Sequence, residues 1–313
     1  MLRKEGLDLK NEIKWDLAPV EVDSIVITVP GVSISTAVIE LAEEFGIDLV
    51  IFRYSKPIAR LLPAKYGSTM KNWLMQLHAF NDESKKARLA SLFVEGKIHN
   101  QRMVIYEYAQ KAKASHKRNA VLDNIVETLS NFEMHVKSCN TVNEAMNIEA
   151  HAANSYWRGV SEILPDEIGF KQRLTKQRVS SNEDIDPFNI ALNIGYSILK
   201  KEVWRAVFLA GLNPYLGFLH SARAGRMSLV FDLMEEFRAY CVDRPLIAFS
   251  RRKPEDIIKL RNDIKKNREI VWKVVLERLK GKDEMVSKII YQSRLLAKHL
   301  NETDLYKPFK SRW

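Results

Sequence analysis

Two short apolar runs near the start of the chain have the composition of β-strands. Residues 23–29 (DSIVITV) are rich in β-branched side chains and are followed by a Pro-Gly pair that is typical of a turn. Residues 48–52 (DLVIF) form a second run of this kind. The stretch from residue 7 to residue 22 resembles further short strands. This part of the chain is therefore expected to be rich in β-structure.

A helix is predicted between these two runs. Ser35 and Thr36 are residue types that cap helix N-termini, and Gly46 stands where a helix C-terminus is expected. Between them, apolar residues recur at a spacing of four and share one helix face: Ala37, Leu41 and Phe45. The predicted order of elements is strand, helix, strand.

The pattern changes at residues 63–69, where Pro, Gly, Ser and Thr cluster, and helical periodicity dominates afterwards. The longest helices are predicted at residues 85–112, 123–138 and 255–281, and loops at 164–166, 179–186 and 252–256. We therefore predict an α+β fold. It consists of a small N-terminal β-rich domain (1–70), a linker (71–80) and a larger all-α domain (81–313).

Charge is distributed unevenly along the chain. The net formal charge is +10, yet residues 1–70 carry 8 basic and 10 acidic residues, and residues 71–313 carry 41 basic and 29 acidic ones. A basic excess confined to one part of a chain is typical of a protein that binds nucleic acid there. A basic surface also serves solubility alone, so charge by itself leaves both interpretations open.

Composition narrows the class of protein further. The 313 residues are 46% hydrophobic and 28% charged, as in an ordinary globular protein. No apolar run approaches the ~18 residues that a membrane span needs, and the N-terminus has no signal-peptide core, so we expect a cytoplasmic protein without membrane contact. Cys139 and Cys241 are too few for a disulfide framework or a structural zinc site. A bound metal would therefore rely on carboxylates and histidines.

One predicted helix, within residues 226–243, separates apolar and acidic positions. Its apolar face consists of Val230, Leu233, Met234, Phe237 and Cys241. Asp232 and Glu235 lie three residues apart on a second face, with Glu236 at its edge. This second face is either a solvated acidic surface or a pair of ligands for a hard divalent cation, which prefers oxygen donors.

Two more residues are candidates for the same chemistry. His220 lies just before the acidic helix, and a helix ending near it and turning at Ala224 and Gly225 would bring it towards Glu235. A lone histidine in such a place is also a common core or surface residue. Glu149 shares a predicted helix face with two alanines, which leaves room either for a ligand or for close helix packing.

Several clusters of basic residues lie in the predicted helical domain, and each alone is usually a solvated surface. Arg223 and Arg226 lie between His220 and the acidic helix, which suits a site that holds phosphate beside a metal. No recognition-helix or zinc-finger pattern is present, so we expect contacts to the DNA backbone. The predicted nucleic-acid-binding residues are Arg223, Arg226, Lys171, Arg173, Arg178, Arg251 and Arg252.

Six segments occur in the order that is typical of one protein family. Together they resemble the motifs of the CRISPR-associated integrase/endonuclease family ("Cas-one"), and the terminal YKPFKSRW is also similar to that family. The six are residues 31–52 (GVSISTAVIELAEEFGIDLVIF), 97–101 (KIHNQ), 148–157 (IEAHAANSYW), 186–199 (DPFNIALNIGYSIL), 213–220 (NPYLGFLH) and 228–238 (SLVFDLMEEFR).

The resemblance implies a metal-dependent active site. Glu149, His220 and Glu235 fall on the family's metal-ligand positions, and Asp232 falls on a nearby acidic position that is important for activity. These four residues are therefore the expected catalytic set. The oxygen-rich donors imply Mg²⁺ or Mn²⁺, and no organic cofactor is expected.

The resemblance also implies a reaction and partners. The reaction is the joining of 3′-hydroxyl ends of short duplex DNA to the CRISPR repeat array by transesterification. The partners are double-stranded DNA, a second copy of the chain bound largely through the N-terminal domains, and the companion small CRISPR adaptation protein ("Cas-two"). Two alternatives remain open: a structure-selective metal-dependent nuclease and a non-catalytic DNA-binding scaffold.

Overall fold

The structure, a computed structural model, describes residues 18–22, 24–54, 56–64, 67–174, 185–221 and 223–312. Contacts divide the chain into two units, the first ending at Ser68 and the second beginning at Thr69. None of the helices in these ranges has both the length and the apolar character that crossing a lipid bilayer requires. The α+β class is confirmed, since a small sheet precedes a large helical region.

In its described residues, the N-terminal unit contains a three-stranded sheet and one α-helix. Its elements are β1 (Ser24–Ile27), α1 (Thr36–Glu44), β2 (Asp48–Arg53) and β3 (Lys56–Leu61). β1 and β2 pair in parallel, with Ser24 opposite Asp48, and α1 connects them; β2 and β3 pair antiparallel. The predicted strand–helix–strand order is confirmed. The Ser35 hydroxyl caps α1 by accepting a hydrogen bond from the backbone N–H of Val38.

Two parts of the N-terminal prediction have a different outcome. β3 was not predicted, because Pro57 is its second residue and proline is tolerated only where a strand lies at a sheet edge, as β3 does. Most of the strands predicted before residue 23 fall on residues 1–17, outside the described residues. Pro19–Glu21 form a 3₁₀ turn instead of a strand.

The second unit is built from ten helices in the described ranges. They are α2 (Ser68–Asn81), α3 (Glu83–Ala114), α4 (Ala120–His135), α5 (Val142–Ile163), α6 (Pro187–Leu209), α7 (Ser228–Arg238), α8 (Arg244–Arg252), α9 (Pro254–Asn262), α10 (Ile264–Lys280) and α11 (Met285–Leu300). Short 3₁₀ turns follow α4 and α5, and a π-helical turn, Ala239–Asp243, joins α7 to α8.

Two boundaries in this unit differ from the predicted ones. The predicted linker at 71–80 is part of α2, because the turn-forming residues end before Ser68 and the following residues pack as a helix. The single helix predicted at 255–281 is broken at Asp263, whose carboxylate accepts a hydrogen bond from the backbone N–H of Lys266 and starts a new helix.

α3 is the central helix of the second unit. It contacts α4, α5 and α7, and its buried apolar side chains, which include Phe93, Ile98 and Ile105, belong to one continuous core. Each fully buried side chain of this size contributes roughly 1.5–3 kcal/mol to folding. The helices that surround α3 are therefore fixed in position relative to it.

The C-terminal strap, residues 305–312, fastens α3 to α7. The buried amide of Asn100 on α3 donates hydrogen bonds to the carbonyl oxygens of Glu236 on α7 (2.7 Å) and Phe309 (2.8 Å). Its Oδ1 atom accepts a hydrogen bond from the backbone N–H of Ser311 (2.7 Å). One side chain thus connects both helices and the strap.

The strap also bonds directly to the side chain of Glu236. The hydroxyl of Tyr306 donates to Oε1 (2.5 Å), and the backbone N–H of Phe309 donates to Oε2 (2.7 Å). Gly96 permits this close approach, because a Cβ at that position would lie 2.9 Å from Cβ of Pro308 and 3.0 Å from Cγ of Glu236. The strap is therefore part of the core that supports α3 and α7.

The π-helical turn carries a buried carboxylate that ties α5 and α6 together. Pro245 has no N–H to donate to the carbonyl of Cys241, so regular α-helical bonding is interrupted there. Asp243 accepts hydrogen bonds from the hydroxyls of Tyr156 on α5 (3.0 Å) and Tyr196 on α6 (2.7 Å). Burial raises the pKa of Asp243 to about 6, although both hydrogen bonds and Arg238 oppose the shift.

Removing the Asn100 amide should destabilise the second unit. Asn100→Ala deletes three hydrogen bonds and leaves buried backbone groups without partners, so we expect the free energy of unfolding to fall by about 2–4 kcal/mol. Urea denaturation measures this value. Asn124→Ala, an exposed asparagine on α4, is the control and should change it by less than about 0.5 kcal/mol. A loss below about 1 kcal/mol in Asn100→Ala would contradict the role of the strap.

Asp243 should make stability depend on pH. Its carboxyl is easier to ionise in the unfolded chain, where an aspartate has its ordinary pKa of 3.8, than in the folded one. The stabilising contribution is therefore present at low pH and is lost as pH rises through 6. Between pH 4 and pH 7.5, the unfolding free energy of the wild type should fall by about 2 kcal/mol relative to Asp243→Asn. A difference that stays constant over this range would refute the assignment.

Candidate active site

Three charged side chains from three helices meet inside the second unit. They are Lys97 on α3, Glu149 on α5 and Glu235 on α7. The ammonium of Lys97 forms an ion pair with each carboxylate: it contacts Glu149 closely and lies 2.7 Å from Oε2 of Glu235. The side chains of Lys97 and Glu235 are only 12% and 4% exposed, against 26% for Glu149. Glu149 is therefore the most accessible member of a shielded cluster.

Glu235 is ionised although it is buried. Burial alone would raise the pKa of its carboxyl group, but Arg238 and Lys97, with a contribution from His220, lower it to about 2. Nη2 of Arg238 lies 3.0 Å from Oε1, so each carboxylate oxygen faces a different cation. Burial opposes the charge on Lys97, yet Glu235 and Glu149 outweigh it and raise the pKa of Lys97. Lys97, Glu235 and Arg238 are therefore charged at neutral pH.

Asp232 is fully buried and organises the loop that carries His220. Its Oδ2 atom accepts hydrogen bonds from the backbone N–H groups of Phe218 (2.5 Å) and Leu219 (3.0 Å). Its Oδ1 atom accepts one from the backbone N–H of His220 (3.0 Å) and lies 2.6 Å from Nδ1 of the same residue. Both oxygens of Asp232 are thus committed to this loop, which makes it a positioning residue for His220.

The loop between α6 and α7 has a defined shape. The sequence suggested that His220 lies at the end of a helix, but it lies within this loop. The reason is that Gly211 adopts a left-handed conformation (φ 69°) and ends α6 before residue 220. The predicted turn is present: the N–H of Arg226 donates to the carbonyl of Arg223. A side chain at Gly217 would collide with Asp232, since its Cβ would lie 2.6 Å from Oδ2.

The contact with Asp232 determines which nitrogen of His220 is available. A neutral imidazole that donates from Nδ1 to a carboxylate carries its lone pair on Nε2. No hydrogen bond to Nε2 occurs within the described part of the chain. A carboxylate behind Nδ1 is the arrangement by which metal-binding histidines are oriented in proteins. In that tautomer, His220 offers Nε2 as a ligand atom.

The acidic residues of α7 do not form a solvated face. Asp232, Glu235 and Glu236 are 0%, 3% and 0% exposed. The apolar face predicted for this helix is confirmed, since all its members are buried: Val230, Leu233, Met234, Phe237 and Cys241. A helix that buries apolar and acidic residues alike needs a polar or cationic partner for each acid. The loop of His220 supplies it for Asp232, Lys97 and Arg238 for Glu235, and the strap for Glu236.

The donors suit a hard divalent cation, although they are not arranged around one point. In the described ranges, no three His, Cys, Asp or Glu side chains already form a group that would hold a metal. The cluster nevertheless offers two carboxylates and a carboxylate-backed imidazole. Oε2 of Glu235 is buried and accepts no hydrogen bond of regular geometry from the described residues, so the Lys97 cation is its partner there. The ammonium thus places one positive charge between the two carboxylates.

Two residues of this cluster were not singled out by the sequence. Lys97 belongs to a motif of the family resemblance, but its partners are far away in the chain, and Glu149 alone is 52 residues distant. Arg238 is one helical turn after Glu235, a spacing that favours an ion pair and was the available signal. Lys97 and Arg238 are residue types that usually lie on a protein surface, but here they are the counter-ions of a buried carboxylate.

The predicted DNA-contacting residues differ in exposure and in their contacts within the protein. Arg223 is exposed, and Arg226 is half-buried and lies over the ring of Phe231 at 5.7 Å. Lys200 lies over the same ring at the same distance, which adds a further positive charge beside His220. The loop and this part of α6 and α7 thus present several cations next to the candidate site.

Arg173 has a structural role that its sequence position did not reveal. Its guanidinium donates to the side chains of Asn189 and Asn193 (both 2.7 Å) and lies over the ring of Tyr196. These contacts engage the guanidinium within the protein, and contact of Arg173 with DNA stays a prediction. The remaining predicted residues are exposed or lie outside the described residues: Lys171, Arg251 and Arg252 are exposed, and Arg178 is not described.

Comparison of the sequence with known families gives a match over most of the chain. Residues 4–278 match the family described as CRISPR associated protein Cas1. The chain is 45% identical to CRISPR-associated endonuclease Cas1 1 of Saccharolobus solfataricus over 253 residues, which cover 81% of this chain and 68% of that protein. It is 31% identical to CRISPR-associated endonuclease Cas1 1 of Archaeoglobus fulgidus over 88% of this chain and 84% of the relative.

Solved structures show the same fold. A casposase bound to an integration product superposes with a TM-score of 0.75 at 21% identity, covering 97% of this chain and 92% of the casposase. A Cas1 protein from Thermotoga maritima superposes with a TM-score of 0.72 at 20% identity, covering 93% of each chain. From the family match and the 45% identical relative together, the chain belongs to the Cas1 family of CRISPR-associated proteins.

Proposed function

We propose that this protein is a divalent-metal-dependent DNA integrase of CRISPR adaptation. It joins the 3′-hydroxyl ends of short duplex DNA to a CRISPR repeat array by transesterification. The observation that carries the proposal is the pair of carboxylates, the half-buried Glu149 and the buried Glu235, gathered around one cation, together with a histidine that Asp232 orients.

The similar proteins support this chemistry. The relative from Saccharolobus solfataricus is named an endonuclease, and the casposase was solved bound to an integration product. Cleaving DNA and joining it both require charge to be stabilised on a phosphodiester while a hydroxyl attacks or leaves. Among the residues described, the Glu149–Glu235–His220 region combines acids, an available imidazole nitrogen and adjacent cations in the way such a reaction needs.

Each residue has a distinct task in the proposed mechanism. Glu149, Glu235 and Nε2 of His220 would hold Mg²⁺ or Mn²⁺, which supplies Lewis-acid stabilisation of charge that develops on the phosphodiester. Asp232 keeps the histidine in the tautomer that exposes Nε2. Arg238 binds the other oxygen of Glu235 and so fixes the direction in which that carboxylate points.

Three cations of the loop and of α6, of which Arg223 is exposed and the other two are half-buried, would position the DNA. Arg223, Arg226 and Lys200 present positive charge on one side of the site, and guanidinium groups bind phosphate oxygens with two parallel hydrogen bonds. Such contacts hold the backbone without reading its sequence. The reaction exchanges one phosphodiester for another, so no nucleotide cofactor is needed to drive it.

The proposed assembly contains a second copy of the chain and the companion protein "Cas-two". A Cas1 chain occurs in a solved Cas6-RT-Cas1–Cas2 complex that superposes on this chain with a TM-score of 0.70 at 20% identity. In the N-terminal unit, α1 exposes a set of apolar side chains that suits contact with a second copy: Val38, Ile39, Leu41 and Phe45.

Strand transfer should be lost when a proposed ligand is changed. A labelled duplex with free 3′-hydroxyls is mixed with a supercoiled repeat-bearing plasmid, the companion protein and Mn²⁺, Mg²⁺ or EDTA. In Glu149→Gln or His220→Ala, joining of label to plasmid should fall at least about 100-fold, while affinity for the duplex changes less than about 3-fold.

A matched variant and three outcomes make this assay decisive. Glu162→Gln changes an exposed glutamate on the same helix as Glu149 and should join DNA like the wild type. Joining that survives in Glu149→Gln, or that is insensitive to EDTA, rejects the proposed site. Nicks without joining in the wild type would indicate the nuclease, and binding without any cleavage would indicate the scaffold.

Arg223 and Arg173 should behave differently, although both were predicted to contact DNA. Arg223→Ala removes an exposed phosphate contact, so the slope of log affinity against log salt should decrease by about 1. Arg173→Ala should lower the melting temperature and leave that slope unchanged, because its guanidinium binds Asn189 and Asn193. Equal loss of salt dependence in both variants would show that the Arg173 contacts give way to DNA.

A further inference from the structure

The two carboxylates of the candidate site share one cation from the protein itself. The ammonium of Lys97 contacts Glu149 and lies 2.7 Å from Glu235, so both acids reach the same nitrogen. Two carboxylates this close together, one buried and one half-buried, would repel each other strongly without a positive charge between them. Lys97 therefore performs, in the protein without metal, the neutralisation that a metal ion would perform.

Lys97 and a divalent cation cannot occupy this space together. A cation bound by both glutamates would compete with the ammonium for Oε1 of Glu149 and Oε2 of Glu235. Its two positive charges would also lie next to the charge of Lys97 in a shielded region, where like charges repel much more than in water. Arg238 already binds the other oxygen of Glu235, which makes that oxygen a weaker ligand for a metal.

The backbone that carries Lys97 is held by contacts other than those of its ammonium. Lysine is a point charge on a flexible four-carbon stem, so a change of side-chain rotamer is enough to withdraw it. The backbone of α3 is held by the C-terminal strap through Asn100, only three residues from Lys97. The helix thus stays in place while its lysine side chain exchanges with a metal.

We propose that Lys97 is an internal counter-ion that occupies the metal position in the metal-free protein and competes with the divalent cation for it. The inference rests on the proposed function, because it takes Glu149 and Glu235 as metal ligands. Its consequence is that the protein keeps its site assembled before a metal arrives, at the expense of affinity for the metal. Lys97 is thereby a residue that sets metal affinity.

Binding of Mn²⁺ tests the competition without any measure of catalysis. The loss of the electron paramagnetic resonance signal of free Mn²⁺ gives the affinity of the full-length protein. Lys97→Met keeps the length of the side chain and removes its charge, so Mn²⁺ affinity should rise at least about 10-fold. Lys111→Met, on the same helix but outside the site, should bind like the wild type. Glu149→Gln should abolish the gain in the Lys97→Met background.

The melting temperature should change in the opposite direction to the Mn²⁺ affinity. Without metal, Lys97→Met leaves Glu149 and Glu235 with Arg238 alone as a counter-ion and should melt below the wild type. Saturating Mn²⁺ should raise its melting temperature more than that of the wild type. Unchanged or weaker Mn²⁺ binding in Lys97→Met overturns the inference and leaves the proposed function standing. Absence of Mn²⁺ binding in both proteins rejects the metal site, and with it both the proposed function and the inference.

Chemical labelling of the wild type keeps the inference testable if Lys97→Met does not fold. Reductive methylation modifies accessible amines, and mass spectrometry quantifies it at each lysine. Lys97 should be protected without metal and modified at least about 5-fold faster with saturating Mn²⁺. The reason is that a displaced ammonium loses its ion pairs and becomes accessible to the reagent. Lys111 should react equally in both conditions. Protection of Lys97 that persists or increases with Mn²⁺ refutes displacement.

Discussion

A buried negative charge is the constraint around which the second unit is organised. Glu235 is almost fully shielded from water, and an ionised carboxylate there is stable only with opposite charge beside it. Lys97 and Arg238 provide that charge from two helices, one for each oxygen. The packing of α3 against α7 is therefore an electrostatic requirement as well as a hydrophobic one, and Glu149 joins the same cluster from α5.

The surrounding structure keeps these charges in register. The C-terminal strap connects α3 to α7 through Asn100 and Glu236, directly beside Lys97 and Glu235. Asp232 uses both oxygens to shape the loop that presents His220, and Asp243 ties α5 and α6 to the turn after α7. Asp232, Glu236 and Asp243 are buried acids on the stretch from α7 to the π-helical turn, and each accepts hydrogen bonds from a different part of the structure. This stretch is thus the element through which the site is assembled.

The elements that short-range sequence patterns determine were predicted correctly. The apolar face of α7, the long helix α3 and the strand–helix–strand start follow from periodicity and capping residues, and the structure confirms them. The break at Asp263 and the edge strand containing Pro57 were missed, because a single capping carboxylate or an edge position decides them. The pairing of Lys97 with Glu149 and Glu235 joins residues distant in the chain, and no local spacing encodes it. The resemblance to a family named the acids, whereas the structure was needed to show that a lysine lies between them.

The central claim is that a single cation position between Glu149 and Glu235 is shared, in turn, by Lys97 and a divalent metal. Crystals of the protein soaked in Mn²⁺, with diffraction recorded at the manganese absorption edge, locate the metal by its anomalous signal. We expect one peak between the two carboxylates and beside Nε2 of His220, with the Lys97 ammonium withdrawn. An anomalous peak elsewhere, or an ammonium that still contacts both carboxylates at full metal occupancy, would contradict the claim.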